Sequence, residues 1–413
     1  HGGGATVNKP DLVDIYVLEM NPENPDQYRL DGEWRDLEVG EVKLKLKLWG
    51  FFPWSVKREV LRSVHGPALR TEHGVYAIRY AGIDEMKQVE QWLAMNKAKN
   101  FDEWKAAVAL NHIQSFNFVY ANRHGDIHFI HNAQLPVRAP GWNWQQYLPG
   151  DRSDLIWQGY HPTSALPQVT NPESGFLHSA NQTPFNVTEA QDNPQPNTVP
   201  TDGGWQTRMT NRATRGLELF ADFEQISFDE AWQLKHDNSY SVNYRGMTFL
   251  SEVTALPRSD DTVSRAIEIL ENWDRGTDKD NRGAALGVCV LAAEWQAESG
   301  GTSNPDAQVI LDNCIDQTLE IGGRLDPRWG DVNRHGRDDT HWPVAGGPDT
   351  LRAIYSRRLD GDDHLTAVAG DGLYYFIRWT PDGEQKLLGT HQYGNDMTDP
   401  ESPHYLDQAE DYT

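Results

Sequence analysis

The 413-residue chain has few cysteines, no long apolar run and no excess of basic residues. Its two cysteines, Cys289 and Cys314, lack the CxxC or zinc-ligand spacing of a metal-binding finger. Two readings stay open for them: one disulfide in an oxidising compartment, or two buried thiols. No window approaches the run of about 20 apolar residues that a membrane-spanning helix needs. Lys plus Arg number 37 against 61 for Asp plus Glu, a net charge of -24. Such a surface repels phosphate backbones and anionic headgroups, so nucleic acid and acidic membranes are set aside as partners. Also missing are a His-Glu-x-x-His helix, a Walker A loop, a dinucleotide fingerprint and a complete EF-hand loop. Asp278-Lys-Asp280-Asn-Arg-Gly283 begins like a calcium loop, but Arg282 stands where an oxygen ligand belongs, so it reads as a solvated turn.

What is present is ordinary globular material, with 38% hydrophobic residues, 10% aromatic residues and 24% charged residues. In Glu41-Val-Lys-Leu-Lys-Leu-Lys-Leu48 apolar and charged residues alternate, which predicts an antiparallel strand with one face on a core and the other in water. Asp14 to Met20, Ser55 to Val64 and Val75 to Tyr80 are further strands, and Phe116 to Tyr120 with Ile127 to Ile130 form a hairpin around Asn122-Arg-His-Gly-Asp126. Helical spacing marks residues 88–96, 101–110, 208–223, 262–274, 283–298 and 306–321, the fifth apolar enough to be buried. A Pro/Gly/Asn-rich stretch from Asp192 to Gly204 reads as a long loop. Strand patterns return at Leu373 to Trp379 and Gln385 to Thr390, around a turn at Pro381-Asp-Gly383. The expected organisation is α+β: an antiparallel-sheet core over 1–204, a helical lobe over 205–325, and a segment over 326–413 that rejoins the first sheet.

Taken singly, the polar constellations are weak. His1-Gly-Gly-Gly4 is similar to the oxyanion loop of lipase-type esterases, but no Gly-x-Ser-x-Gly elbow accompanies it. An N-terminal histidine can chelate copper, as in secreted polysaccharide oxygenases, although an arbitrary chain end is the simpler account of His1. Thr6-Val-Asn-Lys-Pro-Asp-Leu-Val-Asp14 sets two carboxylates around a backbone carbonyl, a pattern suited to a hard cation. Asn171-Pro-Glu-Ser-Gly-Phe-Leu-His-Ser-Ala-Asn-Gln-Thr-Pro184 frames Asn181, whose side-chain amide can donate to an oxyanion. In isolation each is more often a turn-capping Asp or Asn.

In order along the chain, these segments and others change that weighting. The others are His65-Gly-Pro67, Phe116 to Asp126, Gln134-Leu-Pro-Val-Arg138, Arg324 to Arg334, Gly346 to Arg352 and Asp399 to Gln408. Together they resemble the β chain of penicillin acylase-type N-terminal-nucleophile hydrolases, nearest the branch of acyl-homoserine-lactone and aculeacin A acylases. The resemblance implies a four-layer αββα sandwich with a helical lobe. It also implies a precursor cut into two chains, whose new N-terminal serine attacks an amide carbonyl with its own α-amine as general base. By the same resemblance the oxyanion is held by the backbone N–H of Val7 and the amide of Asn181, and Arg212 helps hold the asparagine and the serine amine. A helix-surface cation is the alternative for Arg212. A structural calcium is common in the family, and its ligands map to Asp11, the carbonyl of Val13, Asp14, the carbonyl of Pro136 and Asp192. No organic cofactor is implied.

The expected substrates are small acylated amines: acyl-homoserine lactones, acylated lipopeptides or penicillins. The nucleophilic serine and the α chain are expected outside this sequence, before His1, and the protein is expected in the periplasm or secreted. The glycines before Thr6 depart from the family pattern, which weakens the assignment of Val7. Two other functions are carried forward: an inactive acylase-like binding protein that has lost its serine, and a copper oxygenase using His1.

Overall fold

The computed structural model describes residues 1–83, 85–380 and 382–413. The chain forms two compact units, His1–Arg208 and Met209–Thr413. The segments read from the sequence as a helical lobe and a C-terminal piece thus lie almost wholly in the second unit.

The first unit contains β1 (Gly2–Thr6), β2 (Val13–Leu18), β3 (Gln27–Leu30), β4 (Glu33–Asp36), β5 (Glu38–Leu48), β6 (Phe52–Ser63), β7 (Gly66–Thr71) and β8 (Gly74–Tyr80). It continues with α1 (Gln88–Lys97), α2 (Phe101–Val108), β9 (Ser115–Ala121), β10 (Ile127–Ala133), β11 (Leu148–Pro149) and β12 (Gln168–Thr170). One sheet has the order β1-β9-β10-β12 and another β11-β2-β8-β7-β6-β5, antiparallel except for the β11–β2 pair. Alternation does the local work: in β2, Asp14, Tyr16 and Leu18 point into the core, with Val75 and Ala77 of the paired β8. Tyr16 donates to the carbonyl of Leu155 at 2.8 Å and stacks on His65, which fixes the inner face of this sheet. Asn100 caps α2 by accepting from the N–H of Glu103, and the helix pair buries Met95, Trp104 and Val108 with Phe118, Tyr120 and Ile130 of β9 and β10.

The β5 strand departs from expectation. All eleven of its residues are exposed, Leu44 and Leu46 included, so neither face lies on a core. The cause is length: β6 pairs with β7 only over Leu61–Ser63, and the rest of the β5–β6 hairpin runs beyond the sheet. The proline-rich stretch after Asp192 is a loop with one short 3-10 turn at Pro196–Thr198, as its composition predicts.

The second unit is built from α3 (Asn211–Ala221), α4 (Phe228–Lys235), α5 (Gly246–Thr254), α6 (Asp261–Asn272), α7 (Ala284–Ser299), α8 (Ala307–Gly322), α9 (Trp329–Val332), β13 (Asn333–Arg337), β14 (Thr340–Pro343), β15 (Ile354–Arg358), β16 (Leu365–Gly370), β17 (Leu373–Trp379), β18 (Gln385–His391) and α10 (Ala409–Tyr412). Phe249, Ile267, Leu286, Val290 and Leu311 form the helical core, and the broadly apolar α7 is buried as its composition implies. Among the described residues, the strands after 326 pair with one another and not with the first sheet. They form a β14-β13-β16-β15 sheet and a β17-β18 hairpin. Of the turn expected at 381–383, Pro381 is outside the described residues, and Gly383 takes φ +89.

Of the two readings left for the cysteines, the disulfide is the one found: Cys289 of α7 is bonded to Cys314 of α8, across 25 residues. A closed loop of that length restricts the unfolded chain by roughly 3 kcal/mol. Replacing both cysteines by alanine is therefore expected to lower the denaturation midpoint by about that equivalent, which urea titration measures. An unchanged midpoint would contradict it.

Candidate active site and the Arg138 cluster

Three short segments of the first unit meet at the end of β1. Thr6, the last residue of β1, pairs with Asn117 of β9, and Asn117 Nδ2 donates to Thr6 Oγ1 at 3.1 Å. The same hydroxyl lies 2.8 Å from Ser179 Oγ. Two residues on, Asn8 Nδ2 donates to the carbonyl of Asn132 in β10 at 3.0 Å, so the chain leaving β1 is clamped on both sides of Val7. Asn181 Nδ2 then donates to the carbonyl of Val7 at 2.8 Å. The two residues expected to supply oxyanion donors are therefore hydrogen-bonded neighbours.

The loop that presents Asn181 has no regular structure and is held by amides. Buried Gln182 accepts from the N–H of Ala180 and donates to the carbonyls of His178 and Asn186. Buried Asn193 accepts from the N–H groups of Val187 and Thr188 and donates to the carbonyls of Thr188 and Glu189. Asn181 itself takes φ 64, the left-handed region that asparagine tolerates better than most residues. Such a frame fixes the amide relative to the Val7 backbone without a helix or strand. Two N–H donors held side by side on an ordered backbone can stabilise charge developing on one oxygen. Ser179, Asn117, Gln182 and Asn193 were missed as site residues in the sequence. The available signal was a polar residue at an inward strand position, as at Asn117, which is 1% exposed.

The expected calcium ligands behave differently. Asp14 is buried, and its Oδ2 accepts from Arg138 Nε at 3.0 Å and Trp157 Nε1 at 2.6 Å, while its Oδ1 accepts from Arg138 Nη2 at 3.2 Å. Asp11 gives its carbonyl to Arg138 Nη2 at 3.1 Å, and its carboxylate lies 3.3 Å from the same nitrogen. Burial pushes the Asp14 carboxyl up, against the pull of Arg138. Val13 lies in β2 opposite Tyr80, Pro136 bridges to Tyr160, and Asp192 accepts instead from the N–H of Ser174 at 3.1 Å. Among the described residues no group of three or more His, Cys, Asp or Glu side chains is disposed to hold a metal ion. A divalent ion needs six to eight oxygens turned toward it, and the central carboxylates here are turned toward a guanidinium. These residues do not fit calcium.

Arg212 lies in the second unit, near the start of α3, whose cap is Thr210 accepting from the N–H of Ala213. It is not a free surface cation: its Nε donates to Asp349 Oδ1 at 3.1 Å. Asp349 is 1% exposed, takes φ 61, and its other oxygen accepts from the N–H of Asn211 at 2.7 Å. Burial pushes the Asp349 carboxyl up, with Arg212 opposing it. His1 stacks on Tyr120 of β9 at 5.4 Å.

Comparison with known proteins bears on this geometry. The family model described as penicillin amidase matches residues 3–413. Among curated proteins, the chain is 26% identical over 277 residues to penicillin G acylase of Escherichia coli, covering 66% of this chain and 31% of that protein. It is 21% identical over 468 residues to the acyl-homoserine lactone acylase PvdQ of Pseudomonas fluorescens (strain Pf0-1), covering 99% of this chain and 58% of that one. The chain thus spans less than two thirds of the length of either relative. A thermostable penicillin G acylase from Alcaligenes faecalis superposes with a TM-score of 0.62 at 19% identity, over 100% of this chain and 83% of that one, so the fold is shared.

Proposed function

The chain belongs to the penicillin amidase family, and from that premise we propose that it is part of an acylase cleaving the amide of a small N-acylated amine. The observation that carries this is the 2.8 Å bond from Asn181 Nδ2 to the Val7 carbonyl, which holds the side-chain amide against the Val7 backbone. The nucleophile is a serine at the amino terminus of a segment outside residues 1–413, and an α chain of the same precursor completes the protein. The α-amine of that serine, with an intrinsic pKa near ~8, takes the hydroxyl proton as Oγ attacks the amide carbonyl. The Val7 N–H and the Asn181 amide receive the oxyanion. Its collapse expels the amine, which takes the proton back, and water then releases the acid from the acyl-serine. Arg212, oriented by Asp349 within the second unit, is the positioning residue for the serine amine that the family resemblance suggests.

The finer assignments follow from the same premise. They are a four-layer αββα arrangement and substrates drawn from acyl-homoserine lactones, acylated lipopeptides and penicillins. A periplasmic or secreted location is supported by the Cys289–Cys314 disulfide. Apolar pockets separate acyl chains by only ~1–3 kcal/mol per methylene, so a graded series of chain lengths is the suitable screen. Incubating the full processed protein with such a series, and quantifying free acid by chromatography, is expected to show turnover with a smooth length preference. Saturable binding of the series with no acid released would instead favour an inactive scaffold.

A further inference from the structure

The guanidinium of Arg138 holds two of the expected metal donors, Asp11 and Asp14. Its side chain is fully buried, 0% exposed, as is that of Asp14. Nε and Nη2 bind the two oxygens of Asp14, Nη2 also reaches the carbonyl of Asp11, and Nη1 donates to the carbonyl of Asp202 at 2.9 Å. The indole rings of Trp144 and Trp157 lie 5.6 and 5.9 Å from the guanidinium carbon. A planar fork suits this set of acceptors, since it meets a carboxylate along one edge and carbonyls along the others. A compact point charge would leave the Asp202 and Asp11 carbonyls without donors.

The placement has a mechanical consequence. Arg138 follows directly on Val137, whose N–H donates to the carbonyl of Gly159 and whose carbonyl accepts from the N–H of Gln158, so the side chain springs from a fixed backbone. It ties residues 11–14 to the loop at 202–206. The N–H of Asp11 donates to the carbonyl of Gly203 at 2.9 Å, and the N–H of Lys9 to Gln206 Oε1 at 3.2 Å. Gly204 has φ +58, and a Cβ there would come within 2.5 Å of the Asp11 Cβ, so the loop is seated closely on this segment. Val7 lies immediately upstream.

We propose that Arg138 is this chain's built-in cation, doing in one covalently attached group what the family's calcium does, so that the protein's stability is independent of divalent metal. A second cation cannot share the position, because it would stand within contact distance of a buried guanidinium and compete for the same oxygens.

The test uses the full processed protein and reads melting temperature and metal content. After dialysis against EGTA the wild type is expected to contain no stoichiometric calcium and to melt at the same temperature with EGTA as with added calcium chloride. An ion bound far above its Kd would instead raise the melting temperature by several degrees. Arg138→Ala is expected to lower the melting temperature by roughly 10 °C, because it strands the buried carboxylate of Asp14. Arg152→Ala, which removes an exposed pair with Asp154, should shift it little. A wild type that loses stability in EGTA and regains it with one calcium per chain would overturn the proposal. So would an Arg138→Ala protein that melts like the wild type. If Arg138→Ala does not fold, the wild-type comparison decides alone.

Discussion

Asn181→Asp in the full processed protein lowers kcat for amide hydrolysis by about 100- to 1,000-fold and leaves the protein folded. The replacement has the same shape and is also tolerated in the left-handed region that residue 181 occupies. What it removes is the whole Nδ2 amide, both its bond to the Val7 carbonyl and its second N–H, and what it adds is a carboxylate where negative charge must develop. The loop persists because Gln182 and Asn193 carry hydrogen bonds within it that the replacement leaves intact. Since the donor interaction strengthens only as the oxyanion forms, kcat and kcat/KM should fall together while KM changes little. Steady-state kinetics with circular dichroism on the same sample checks this. A loss confined to KM would mean that Asn181 binds substrate without stabilising the transition state.

Stability falls steeply as pH drops from about 6.5 toward 4. His128 and His131, both on β10, contribute most, and burial lowers His65, His236 and His335 in the same direction. His128 is 2% exposed, bonds Thr170 Oγ1 at 2.8 Å, and is held down to about 4 by burial and then by Lys105. His131 is fully buried against Trp205, and burial brings it to about 3. The unfolded chain binds protons at both rings near pH 6.5, while the folded chain leaves them neutral. The stabilising contribution is therefore complete above about 6.5 and is lost as pH falls toward the folded values, on the order of 3 kcal/mol from His128 alone. Asp14 and Asp349, whose carboxyls burial pushes up, act in the opposite sense, and their contribution is lost as pH rises through their folded values. Urea midpoints of the wild type and of His128→Gln between pH 7.5 and 4.5 separate these effects. The variant is expected to show the shallower profile, and identical slopes would contradict the assignment.

Where one face of an element meets a core, its outline was legible in the sequence. The alternation in β2 and β8, the hairpin of β9 and β10, and the apolar run of α7 all correspond to buried faces. The β5 strand shows the limit: Leu44 and Leu46 alternate with lysines as a half-buried strand should, yet both faces are exposed, because alternation specifies two faces but not a neighbour. The short helices α4 and α5 escaped notice for want of length, and the β13–β15 strands for want of apolar alternation, as in Asn-Arg-His-Gly-Arg of β13. At the site, Asn181 and Val7 were reached through resemblance, and their hydrogen bond is a tertiary fact that no spacing contains. The contact of Arg138 with Asp14 was invisible for a related reason. Asp11 and Asp14 look the same in sequence whether a metal or a guanidinium faces them, and Arg138 lies 124 residues beyond Asp14.

The central claim is that this chain supplies the oxyanion donors for a serine carried on another segment. Its most direct test is denaturing mass spectrometry of the full processed protein after reaction with an acyl phosphonate, a mimic of the tetrahedral intermediate. The predicted result is one stoichiometric adduct on an amino-terminal serine outside residues 1–413, formed far more slowly in Asn181→Asp. An adduct on a serine within residues 1–413, or no adduct from a protein that still releases acid from an N-acyl amide, would contradict it.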